Sequence, residues 1–121
     1  MNEKFLEVLQ HEGPVTIVTV NAHPASVVST WMSYVTVQDG KLLIPAAGMH
    51  SIEGDLPTDD QLVVTFGSKA VIGTVGPGAG FYVYGTGAFI DQGPDFDAKQ
   101  AEFPWVTRVL VVTIDKIEQK I

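Results

Sequence analysis

Apolar residues alternate with polar ones along most of this chain, and the alternation changes period or breaks at a few marked places. Phe5, Val8 and Leu9 fall at i, i+3 and i+4, which predicts a short helix over 3–11, stopped by Gly13-Pro14. The run 15–20 is rich in β-branched residues and predicts a strand. A turn at Asn21-Ala22-His23-Pro24 leads into a long strand over 26–37, closed by the Asp39-Gly40 turn signal, and 41–45 returns as a short strand. Segment 51–60 contains Gly54 and Pro57, so any helix there is short or broken. Two further strands are predicted over 61–67 and 69–75, and a hairpin loop over Gly76-Pro77-Gly78-Ala79-Gly80. The next strand, 81–90, has Gly85 and Gly87 marking a bulge or a close backbone approach. Gly93-Pro94-Asp95 opens a second helix that stops before Pro104. The run 107–114 is apolar on both faces, and 115–121 reads as a tail.

Six or seven short strands separated by turns predict a mainly β fold, an antiparallel barrel with a few short helices. At 121 residues, 1–121 forms a single domain, and 45% hydrophobic residues supply its core. A strand as apolar as Val109-Leu110-Val111-Val112 is either central to the barrel or covered by a partner chain, which points to a dimer. No apolar run approaches the ~20 residues that span a bilayer. The N-terminus lacks a basic-then-apolar signal pattern, so a cytoplasmic location is the expectation.

Charge and composition narrow the chemistry. Seven Lys and Arg stand against fourteen Asp and Glu, a formal net charge of −7. That balance argues against nucleic acid and against anionic membrane surfaces as partners. Without cysteine there is no disulfide, thiolate metal site or thiol catalysis. His11, His23 and His50 are far apart and lack a metal-ligand spacing. There is no Gly-x-Ser-x-Gly elbow, and the Gly76–Gly80 run does not have the spacing of a dinucleotide fingerprint.

Two segments remain. Ser29-Thr30-Trp31-Met32-Ser33-Tyr34 is a mixed polar and aromatic strand, and Pro45-Ala46-Ala47-Gly48-Met49-His50-Ser51-Ile52-Glu53 is a small-residue turn running into a helix start. Such a pair suits a flat aromatic ligand with a phosphate tail. The strand offers hydroxyls and ring edges, the turn lets backbone N–H groups approach closely, and a helix N-terminus favours an anion. The same residues also read as ordinary sheet packing and a plain barrel corner. On a strand, Thr30, Met32 and Tyr34 share one face and Trp31, Ser33 and Val35 the other.

Taken in order along the chain, the motifs resemble the small FMN-binding proteins of the pyridoxamine 5′-phosphate oxidase-like split-barrel superfamily. The resemblance rests on Phe5-Leu6-Glu7-Val8-Leu9 with Glu12-Gly13, Thr30-Trp31 with Ser33-Tyr34, Gly48-Met49-His50, Gly67-Ser68, Gly76-Pro77-Gly78 with Gly80-Phe81, Gly93-Pro94 with Phe96, Trp105 and Leu110-Val111. It implies a homodimer of six-stranded split barrels with short flanking helices and one FMN per subunit near the interface. It places the isoalloxazine ring against Ser29, Thr30, Trp31 and the Pro45-Ala46-Ala47-Gly48 corner, and the phosphate at His50-Ser51-Ile52. Trp105 and Ile121 would approach from the partner subunit. The implied function is electron transfer or flavin-dependent redox chemistry with a redox partner protein or small substrate. The cofactor would carry the chemistry, so no residue is assigned as catalytic.

The sequence departs from the family pattern at one end of this site. There the turn carries Lys-Thr after Met-His, and Asn before Thr-Trp; here the positions hold Ser51, Ile52 and Ser29. Charge-assisted bonds are roughly twice as strong as neutral ones. An exposed helix terminus contributes only about 0.3–1 kcal/mol in their place. Lys69 and Arg108 are the candidate replacements, although each also reads as a solvated surface charge. The departure keeps an alternative open: a degenerate split-barrel dimer that holds no flavin, or another flat cofactor, and acts as an interaction or storage module.

Overall fold

In the computed structural model, which describes residues 2–121, seven strands form one antiparallel sheet. In chain order the elements are α1 (Glu3–Val8), β1 (Pro14–Thr19), β2 (Val27–Trp31), a 3₁₀ turn (Met32–Tyr34), β3 (Thr36–Gln38), β4 (Lys41–Ala46), α2 (His50–Asp55), β5 (Gln61–Ile72), β6 (Pro77–Ile90), α3 (Pro94–Glu102) and β7 (Arg108–Gln119). The strand order is β2-β1-β5-β6-β7-β4-β3.

That order explains the barrel. The two edge strands, β2 and β3, are consecutive in the chain and joined only by residues 32–35. At about 3.3 Å per residue such a link cannot cross an open seven-stranded sheet. The sheet must curl until its edges approach.

This link is also where the sequence expectation fails. The single strand predicted over 26–37 is broken, so the sheet has seven strands rather than the six implied by the resemblance. The break has tertiary causes. The Met32 N–H donates to the Gly13 carbonyl at 2.8 Å, and the Val35 N–H closes the turn on the Met32 carbonyl at 3.1 Å. The Glu12 carboxylate accepts from the Ser33 N–H at 3.0 Å and from the Ser33 hydroxyl at 2.6 Å. β-Branched propensity favours extension here, but a carboxylate supplied from another segment satisfies the turned backbone instead.

Elsewhere the elements run longer than expected. The predicted strands over 61–67 and 69–75 merge into one, β5, which has an irregular stretch after Ser68 and stops at Ile72, and β6 already begins at Pro77 inside the predicted loop 76–80. The β5–β6 hairpin is closed by the Gly73 N–H donating to the Gly76 carbonyl at 2.8 Å. The tail over 115–121 is mostly strand, with β7 paired along β6 as far as Gln119. The β6–β7 register shifts between Tyr84 and Gly85, where a Cβ would lie 2.3 Å from the Thr113 carbonyl oxygen, so glycine is required.

The core explains why the two small helices sit where they do. Phe5 of α1 is fully buried, edge-on to Phe66 and Phe81 at 5.1 and 5.6 Å between ring centres. Each such burial contributes roughly 1.5–3 kcal/mol. Ile52 of α2 joins the same core beside Ile17, Leu42, Ile44 and Leu110. Among the described residues no helix is long and apolar enough to cross a membrane.

Candidate functional site

The small-residue corner after β4 is held from behind by β7. The Thr107 N–H and hydroxyl both donate to the Ala46 carbonyl, at 2.9 and 3.2 Å. Arg108 continues the pattern: Nη1 donates to the Ala47 carbonyl at 3.3 Å and Nη2 to the Gly48 carbonyl at 2.6 Å. Three successive carbonyls therefore point toward β7. In a trans peptide the C=O and N–H groups point opposite ways, so the N–H groups of Ala47, Gly48 and Met49 point away from it. Met49 then takes a left-handed conformation, φ 61° and ψ 30°, and leads into α2. N–H groups left facing outward in this way suit an anion or an electron-rich ring edge. Pro45 and Ala46 are buried, whereas Ala47 and Gly48 are exposed, with nothing within 4 Å of where a Gly48 Cβ would stand.

Helix α2 is tied by two of its carboxylates, Glu53 and Asp55. Glu53 accepts from Arg108 Nε at 3.0 Å. The Asp55 carboxylate accepts from the Ser26 hydroxyl at 2.5 Å and the Thr19 hydroxyl at 2.8 Å. Those hydroxyls, Ser26 first, hold the Asp55 carboxyl below its ordinary range. His50 and Ser51 face solvent, and His50 Nδ1 lies 3.7 Å from Glu53 Oε1. Ile52 points the other way, 0% exposed, so only its backbone is on the side that a ligand would meet.

On β2, Thr30 is buried, while Trp31 is 50% exposed. Ser29 faces outward and shares a 3.0 Å hydrogen bond with the Thr16 hydroxyl. Just beyond Trp31, the Ser33 hydroxyl and then its N–H hold the Glu12 carboxyl below its usual range. Tyr34 opens a three-ring cluster, 4.9 Å from Phe103 and 5.5 Å from Trp105, with Phe103 and Trp105 also 5.5 Å apart. Lys99 fixes this cluster from beneath, only 3% exposed. Its ammonium donates to the Tyr34 carbonyl at 2.6 Å and the Thr36 hydroxyl at 2.7 Å. Burial pushes the Lys99 pKa down, opposed by Glu102. Trp105 is 44% exposed. Within its own chain Trp105 rests on Tyr34, three residues past Trp31, and its exposed part remains available to the partner-subunit site to which the resemblance assigns it.

Ile121 belongs to a different place. Its N–H and carbonyl both pair with Gly80, at 3.3 Å each, and its side chain occupies the space where a Gly80 Cβ would project. It borders a shallow groove of about 410 Å³ lined by Pro14, Thr16, Gly67 and Lys69 among others. Lys69 thus stands at the tail end of the molecule, away from the corner, and only Arg108 of the two candidate cations reaches the corner.

One subunit therefore joins the Pro45–Gly48 corner, His50, Ser51 and Arg108, and separately joins Trp31 to the Tyr34–Trp105 cluster through the 3₁₀ turn. It leaves Ile121 apart. The residues left without a role in the site by sequence reasoning are those that act from behind: Thr107 and Lys99, and Glu12 and Glu53, which stood there only as parts of motifs. Their partners lie 21 to 65 positions away, a separation no local pattern reports. Outward N–H groups, small side chains and exposed aromatic rings fit a flat, anionic heterocycle.

No family model matches the chain. A curated relative does: the FMN-binding protein of Nitratidesulfovibrio vulgaris (strain DSM 19637 / Miyazaki F) is 41% identical over 116 residues, 95% of this chain and 94% of the relative. Among solved structures, Group A Streptococcus HupZ superposes with a TM-score of 0.76 at 10% identity, covering 98% of this chain and 93% of its own. A Listeria innocua protein described as a candidate pyridoxamine 5′-phosphate oxidase superposes with a TM-score of 0.67 at 10% identity, covering 97% and 93%. The solved structures share the fold, and the curated relative shares sequence along nearly its whole length, so this chain belongs to the family of small FMN-binding proteins.

Proposed function

We propose that this protein binds FMN, one per subunit of a homodimer, and serves as a flavin-dependent redox protein that exchanges electrons with a partner protein or small substrate. The observation that carries the reading is the corner 46–49: the Ala46, Ala47 and Gly48 carbonyls are drawn toward Thr107 and Arg108, so the N–H groups of Ala47, Gly48 and Met49 face away from them. The full-length similarity to an FMN-binding protein supports the choice of ligand.

Bound FMN supplies the electron chemistry, and the protein supplies position and surroundings. The Ala46-Ala47-Gly48 corner offers N–H groups to the ring edge. Trp31, with Ser29 on the same outward side of β2, forms a further wall, and the buried Thr30 between them contributes through its backbone. Trp105 adds an exposed aromatic face anchored on Tyr34. His50, Ser51 and the Ile52 backbone receive the phosphate. Ile121 completes the site only from a second subunit. The corner and Ile121 stand at opposite ends of β7, twelve residues or roughly 40 Å of strand apart.

The test is the visible spectrum of protein purified with excess FMN, together with its mass in solution. A yellow dimer with one FMN per chain is expected. A colourless product with no saturable flavin binding would sink the proposal. Ser51 and Ile52, which leave the phosphate end without its family lysine, favour a second reading in which the dimer holds no flavin or a different flat cofactor. Mass spectrometry of the extracted ligand separates the two.

A further inference from the structure

We infer that Arg108 is the positioning residue of the flavin-facing corner: its forked guanidinium holds the Ala47 and Gly48 carbonyls back so that the following N–H groups meet the ring. The inference rests on the flavin reading above and adds to it a residue that touches no ligand.

The geometry is specific to a guanidinium. Nη1 donates to the Ala47 carbonyl at 3.3 Å and to the Thr107 hydroxyl at 2.8 Å, Nη2 to the Gly48 carbonyl at 2.6 Å, and Nε to Glu53 at 3.0 Å. Four acceptors are thus held by one planar group, whose carbon also lies 4.9 Å from the centre of the Phe89 ring. The side chain is 15% exposed, so it is a packed strut rather than a solvated charge. Arg108 pairs with Ala46 across the β4–β7 ladder, and this register brings the fork under the two peptides that leave the strand. A lysine carries the same charge as a point on a flexible stem; it can meet two acceptors but has no planar fork to fix both carbonyls while also reaching Thr107 and Glu53.

The peptide geometry also decides between two roles for this cation. The carbonyls face Arg108, and the N–H groups face away from it. Arg108 therefore stands behind the corner and does not replace the absent phosphate lysine as a direct contact. Its effect reaches the ligand through the backbone, at the ring end.

The experiment compares Arg108→Met, Arg108→Lys and the milder Thr107→Val with the wild type. In ligand-free protein, amide spectra should show the Gly48 and Met49 N–H signals displaced in both Arg108 variants. Titrations with FMN and with riboflavin, which has no phosphate, should weaken in parallel by about tenfold or more. The visible absorption and circular dichroism of the bound flavin should shift, and Arg108→Lys should not rescue. Thr107→Val should move in the same direction by about two- to threefold, which keeps the test alive if an Arg108 variant fails to fold.

Rescue by lysine would overturn the inference. So would loss of FMN affinity with riboflavin unchanged, which assigns Arg108 to the phosphate, or Gly48 and Met49 signals that do not move. If the wild type binds neither flavin, the flavin reading falls by itself, and the amide spectra still decide whether Arg108 sets the corner.

Discussion

The two ends of β7 are built in opposite ways. At the Arg108 end, the Thr107 and Arg108 side chains hold the carbonyls of one corner, with Glu53 of α2 holding Arg108 in turn. At the Ile121 end the contacts are backbone pairs with Gly80, and the side chain lies 58% exposed over a groove. A corner fixed inside one subunit can be pre-organised for a ligand before anything binds. An exposed apolar side chain far from that corner can join the proposed site only if a second subunit brings it there, and that is what the proposal asks of Ile121.

The comparison breaks most visibly where the rigid end meets the core. Replacing Ile52 by Ala removes a fully buried side chain beneath the corner and should cost about 2–5 kcal/mol in denaturant unfolding. A loss below 1 kcal/mol would show that α2 is not seated in the core as described. Next in size, Ser51→Lys places a cation on an exposed position beside the proposed phosphate. It should tighten FMN about tenfold, about 1.4 kcal/mol, and leave riboflavin unchanged. No gain in the FMN titration would move the phosphate elsewhere.

Deleting Ile121 tests the open end. Unfolding stability should fall by no more than about 1 kcal/mol, since the side chain is exposed and only the backbone pair with Gly80 is lost. Flavin affinity and dimer mass should both fall if a partner's tail covers the site. Unchanged affinity would make the tail a bystander.

The smallest effect is a slope. The Asp55 pKa is lowered in the folded chain by Ser26 and Thr19, so its stabilisation is complete above the unfolded-state value and is lost as pH falls through the folded one. Melting temperature should therefore drop between about pH 5 and pH 3, and Asp55→Asn should flatten that drop. An identical pH profile in the variant would mean that the tether between α2 and β1 carries no charge-dependent stability.

Much of this was legible in the sequence. Alternating β-branched runs marked most of the strands, Gly85 marked the place where two backbones approach, and Gly93-Pro94 marked the start of α3. The pairing of Trp31 with a small-residue corner pointed to a flat ligand. What misled was continuity: residues 26–37 have strand propensity throughout, yet they form two strands. The turn between them is satisfied by Glu12, Gly13 and Lys99, none of which belongs to that segment. Arg108 was visible as a spare cation, but not as a clamp.

The sequence by itself determined the class of fold, the order of its elements and the residues from which a site would be made, because period, turn chemistry and burial tendency are local properties. Tertiary structure alone decided which surfaces those residues share. It drew β2 and β3 to opposite edges of one curled sheet and put Trp105 on Tyr34 of the same chain. It also set Arg108 behind the corner and Ile121 at the far end of the strand. Those outcomes depend on register and on hydrogen bonds between segments dozens of residues apart, and spacing along the chain carries no record of them.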